Sequence, residues 1–171
     1  MDRPAAPSVR VRWAEYLRRF PDFVPCRQVP PGYRWFPPGS WPAAIQPPPE
    51  GSLDGESLAA MLSVLRTHSG RDVPCFAFYG ALPAGGDFDR VHLWTGRLED
   101  IPGLLDDRGG PYGFSPTNVW PAGREWFVWT DYDLQATKVS GPPGLVRALA
   151  AASRLECLAW QAPEADPRMR S

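Results

Sequence analysis

Asp131 and Asp133 are the residues whose type and spacing best suit chemistry. They sit two apart in residues 126–133 (WFVWTDYD), which read as a strand, so their side chains share one face. Two carboxylates on one face can split their pKa values for acid–base work, or hold a hard cation through oxygen. The simpler and preferred reading is that the strand ends there and both side chains cap its turn. His92, in the run VHLWTGRL (91–98), is the third candidate, because an imidazole titrates near neutral pH. A packing role in its strand is the competing assignment. Tyr132, between the two aspartates, could assist them.

Other chemistries lack their parts. No G-x-S-x-G elbow occurs. Gly80, Gly85 and Gly86 precede neither a helix nor a Lys-Ser/Thr pair, so no phosphate cradle forms from them. His68 and His92 are too few for a three-histidine metal site. Cys26, Cys75 and Cys157 are far apart, odd in number and in no C-x-x-C pair. They read as reduced thiols packed like small hydrophobes. No metal and no cofactor is expected.

Eight tryptophans in 171 residues give a second kind of candidate. Trp94, Trp120, Trp129 and Tyr132, together with Trp35 and Trp41, could line a ligand pocket or a partner surface, where aromatic rings are enriched. Core packing competes for the same rings, since each carries a large apolar area and a single polar handle.

These residues must be positioned by one chain of ordinary globular composition. Its 18 basic and 19 acidic side chains nearly cancel, for a net charge of -1. Phosphate neutralisation needs a concentrated basic surface. The densest basic group, Arg10, Arg12, Arg18 and Arg19, is interrupted by Glu15 and reads as a solvated helix face. Nucleic acid is therefore not an expected partner. No run approaches the roughly 18 apolar residues of a membrane span, and the N-terminal residues lack the apolar stretch of a signal peptide. A cytoplasmic location is the expectation.

A first helix is predicted over residues 8–20, with Ser8 as N-cap and Pro21 as terminator. Residues 21–49 carry ten prolines interleaved with aromatics. They are expected to form an ordered wrap, with a polyproline ligand for another protein as the alternative. The second helix has the clearest local signal. Asp54 is its N-cap, Leu53 and Leu58 suit a hydrophobic staple, and Leu58, Met61, Leu62 and Leu65 make a buried stripe. Gly70 is its natural stop.

Strands are predicted at 75–82, 91–98, 126–133, 137–140 and 155–160, the first two as a hairpin, and residues 118–121 precede a turn at 122–124. The apolar run at 126–129 is the expectation for a central strand covered on both faces. Residues 99–113 read as a loop with at most one helical turn. A third helix is predicted from Leu145 to about Ala152, with Pro143 in its first turn. Strands without regular βαβ alternation indicate an α+β fold, a mostly antiparallel sheet with about three helices on one face. One domain is drawn across residues 1–162, with a frayed tail at 163–171.

Several phrases occur together: PPEGSL (48–53), LRTH (65–68), CFAF (75–78), VHL (91–93), SPTNVWP (115–121), WFV (126–128) and TDYDL (130–134). With them the chain resembles, over roughly residues 41–160, an uncharacterised family of actinobacterial (Streptomyces-type) proteins. The resemblance implies no activity and assigns no catalytic residue.

The leading functional expectation is a non-catalytic binding module of the accessory or immunity type, taking a protein or a hydrophobic small ligand on an aromatic surface. The alternative is a small biosynthetic enzyme using Asp131, Asp133 and His92 on an aromatic or hydrophobic metabolite.

Overall fold

The computed structural model describes residues 11–18, 51–79, 92–105, 115–130 and 135–158, with the backbone alone at Tyr16, Leu17, Tyr79, His92 and Leu105. The proline-rich segment 21–49, the loop 80–91 and the tail 163–171 lie outside the described residues. The chain groups into two compact units, Met1–Gln28 with Leu158–Ser171, and Val29–Cys157. The first includes a short helix α1, Trp13–Leu17, which begins well after Ser8. Val11 and Arg12 ahead of it are not helical.

The second unit has an α+β architecture. Helix α2, Gly55–Ser69, starts where Asp54 Oδ1 accepts the Ser57 amide at 3.0 Å and its Oδ2 accepts the Ser57 hydroxyl at 2.7 Å. It stops at Gly70, whose φ of 91° suits glycine and whose N–H reaches the Arg66 carbonyl. Five strands follow: β1 Pro74–Tyr79, β2 His92–Arg97, β3 Asn118–Pro121, β4 Phe127–Trp129 and β5 Lys138–Ser140. All neighbours are antiparallel, in the spatial order β2-β1-β3-β4-β5. Helix α3, Pro143–Ala151, closes the unit with Pro143 at its first turn.

The core forms between one face of the sheet and the helices. Cys75, Ala77, Val119 and Val128 point inward to Leu58, Met61, Leu62 and Leu65 of α2 and to Leu145 and Leu149 of α3. Burying each of these larger aliphatic side chains contributes about 1.5–3 kcal/mol. Residues Leu98–Leu105 form a 3-10 helix, more than the single turn predicted. Leu98, Ile101 and Leu104, three apart, all reach the core, because residues i and i+3 eclipse on a 3-10 helix.

Two expectations change here. Residues 155–158 are not a strand. The chain turns after α3, with the Leu155 amide on the Ala152 carbonyl at 2.9 Å, so Leu155 packs against the core from a coil. Alternating apolar residues make a strand only where a sheet edge pairs with them. Strand β4 is also not covered on both faces: Phe127 is 41% exposed while Val128 is buried.

A buried polar contact joins the start of the second unit's described chain to the approach to β3. The Ser115 amide donates to Ser52 Oγ at 2.9 Å, and the Leu53 amide donates to Ser115 Oγ at 2.9 Å. Satisfying these groups internally removes the cost of burying them away from water.

Candidate functional site

The sheet face opposite the helices is aromatic. Strand alternation sends Phe76 and Phe78 of β1, Trp120 of β3, and Phe127 and Trp129 of β4 to this side, while their neighbours fill the core. The register aligns them in two rows. Thr95, Phe76 and Trp120 are cross-strand partners in one, and Leu93, Phe78, Asn118, Trp129 and Lys138 in the other.

Directly opposed residues on one face bring their Cβ atoms within roughly 4.5–5.5 Å, and the rings meet accordingly. Phe76 stacks on Trp120 with centroids 5.6 Å apart and planes at 20°, and Trp120 meets Phe127 at 5.8 Å and 31°. Such pairs contribute about 0.5–1.5 kcal/mol beyond their burial. The face remains accessible: Leu93 is 53% exposed, and Phe76, Phe78, Trp120 and Trp129 are partly exposed.

Of the tryptophans singled out from the sequence, Trp120 and Trp129 lie on this face, on adjacent strands. Trp94 lies on the other. Its ring lies over Gly96 and packs against the core, and a Cβ at Gly96 would fall inside the van der Waals envelope of that ring. Trp126 is also inward, 2% exposed, and its indole N–H donates to Ser69 Oγ at 2.8 Å at the end of α2. Trp35, Trp41 and Tyr132 lie outside the described residues. Phe76, Phe78 and Phe127 were missed as site residues. The alternation of β1, with small Cys75 and Ala77 between Phe76 and Phe78, is the signal that could have found the first two.

Asp131 and Asp133 also lie outside the described residues. His92 is the first residue of β2, paired with Tyr79. Thr130, next to Asp131, follows β4 and donates its amide to the Thr117 carbonyl at 2.7 Å. Strands β2 and β4 stand three positions apart in the sheet, about 14 Å at the usual spacing. The backbones carrying His92 and Thr130 are thus far beyond single hydrogen-bond reach. Thr130 itself is buried, with its hydroxyl 2.6 Å from that of Thr137.

Neither described cysteine has the environment of a nucleophile, which needs a lowered pKa. Cys75 is buried in the core, and burial first, then the charge of Glu125, pushes its thiol up to about 11. Cys157 is raised by burial and by Glu156, and its thiol donates to the Leu149 carbonyl. Among the described residues no three His, Cys, Asp or Glu side chains are grouped to hold a metal ion. No helix among them is long and apolar enough to cross a membrane.

Compared with known proteins, the chain matches no family model, no curated protein and no solved structure. The site itself therefore carries the functional argument.

Proposed function

We propose that this chain is a non-catalytic binding module, of the accessory or immunity type, whose recognition surface is the aromatic face of the sheet and whose ligand is another protein. The observation that carries the reading is the accessible ladder Phe76–Trp120–Phe127, flanked by Phe78, Trp129 and exposed Leu93. Keeping such rings at a surface forgoes burial that would stabilise the fold, and clustered exposed apolar side chains mark interaction sites. A sheet face spread over four strands suits a protein surface better than a small molecule, which needs a concave pocket enclosing most of its area. Interleaved Thr95, Asn118 and Lys138 supply the polar groups that give such a contact its register.

The test compares the wild type with a Trp120→Ser/Phe127→Ser double variant, both immobilised and exposed to lysate of the native host. A partner retained by the wild type and lost at least tenfold by the variant, with the two melting temperatures close, supports the reading. Equal retention by both, or turnover of a metabolite that the variant leaves intact, defeats it.

A further inference from the structure

We infer that the depression beside the C-terminal end of α2 is an oxyanion site, built to take a phosphate-class anion between Arg66 and Arg71. The depression has a volume of about 250 Å³ and is lined by Ser63, Arg66, Thr67 and Arg71. That leaves room for an oxyanion and several waters, at roughly 30 Å³ per water. Ser63, Arg66 and Thr67 sit at i, i+3 and i+4 on α2, so they share one side of the helix. Arg71 joins them because Gly70, in its left-handed conformation, turns the chain there.

Three observations support a ligand. Arg66 is anchored by Nη2, which donates to the Glu99 carbonyl at 3.3 Å, while its Nε is shielded from solvent and makes no hydrogen bond, so the donors open to an ion are the terminal N–H groups of the two guanidiniums. The carboxylates nearby are already engaged by another residue: Arg97 pairs with Asp72 at 3.3 Å and with Glu99 at 3.7 Å. Arg66 and Arg71 make no ion pair among the described residues, so two guanidinium charges share one depression without a carboxylate partner. The hydroxyls of Ser63 and Thr67 add polar groups to the same wall; that of Thr67 bonds back to the Ser63 carbonyl at 3.0 Å and can exchange that bond for one to an anion.

The chemistry selects the ligand. Guanidinium groups bind phosphate oxygens through paired N–H donors, with more geometric specificity than a point charge. The negative end of the α2 dipole opposes an anion here, so affinity rests on both arginines acting together. The depression lies on α2, not on the aromatic sheet face, so this site stands or falls independently of the proposed recognition surface.

The experiment is a titration of the full chain with sodium phosphate at constant ionic strength, followed by amide NMR shifts, with acetate and chloride as comparison anions. Saturable shifts at Ser63, Thr67 and Arg71 are expected, with phosphate at least tenfold tighter than acetate. Exposed Arg71→Gln should weaken binding at least tenfold while leaving the melting temperature near wild type, and Arg66→Lys should weaken it less than Arg66→Gln. Phosphoserine amide is run in parallel. Binding tighter than the inorganic ion points to a phosphorylated side chain as the source, and weaker binding to free phosphate. Non-saturating shifts common to all the anions, or shifts unchanged in Arg71→Gln, would overturn the assignment.

Discussion

The two faces of the sheet use the same strands, yet they behave differently. On the inner face Cys75, Ala77, Val119 and Val128 are small or β-branched and almost fully buried. On the outer face Phe76, Phe78, Trp120, Phe127 and Trp129 are large, flat and at least partly accessible. Small inward residues let α2 approach the sheet closely. Large outward ones would be poor surface choices if stability alone were selected. The contrast teaches that aromatic content by itself does not locate a site: Trp126 and Trp94 belong to the packed side, whereas Trp120 and Trp129 belong to the accessible side.

The sharpest way to break this contrast is to truncate one aromatic from each face. Trp126→Ala removes a buried ring and orphans Ser69 Oγ, and should cost about 3–5 kcal/mol. Phe127→Ala, one residue away but outward, should cost less than about 1.5 kcal/mol, the scale of its ring pairing. Urea denaturation of both variants gives the comparison directly, and similar losses would mean the two faces are equally load-carrying.

Next in size is Gly96→Ala. The added methyl displaces the Trp94 ring that lies over it, and overpacking of this kind costs about 1–3 kcal/mol. Pairing it with Trp94→Leu should recover much of that loss, and a double-mutant cycle with no coupling would contradict the packing of Trp94 on the inner face.

A further effect is expected from pH. The Cys75 thiol is raised from its ordinary 9.0 to about 11 in the folded protein, by burial and then by Glu125. Between those values the unfolded chain has lost the proton and the folded chain keeps it, so unfolding gains as pH rises. The stabilisation from the neutral thiol is complete below pH 9 and is lost on passing through pH 11, about 2–3 kcal/mol at most for a shift of this size. Denaturation midpoints of wild type and Cys75→Ala at pH 8 and pH 10.5 isolate this contribution from other alkaline titrations. A wild type that loses no more than the variant over this range would place the thiol in a wetter setting.

How far the sequence could be read depended on whether a signal was local. Helix α2 was legible to within a residue, because Asp54, the 3.6-residue stripe and Gly70 all act over one or two turns. The antiparallel hairpin of β1 and β2 and the short strand β5 were legible for similar reasons, as compact apolar runs between turn signals. The segment at 155–158 was misread because its alternation is a property of the chain, whereas a strand needs an edge to join. The eight-residue 3-10 helix is more than the loop with at most one helical turn read over 99–113, although Leu98, Ile101 and Leu104 carry its three-residue spacing. For the site, the sequence pointed to Trp120 and Trp129 but grouped Trp94 with them, because a single apolar run does not disclose which side of it is covered.

By itself, then, the sequence determined the secondary elements with local caps and periodicity, the α+β class and the near-neutral charge, all set by interactions between residues a few positions apart. Only the tertiary structure decided which face of each strand meets the helices, that Ser52 reaches Ser115 across 63 residues, and that Arg66 and Arg71 share a depression while Arg97 takes the nearby carboxylates. Each of these depends on contacts between distant segments, and such contacts are fixed by how the elements pack and not by any pattern within one of them.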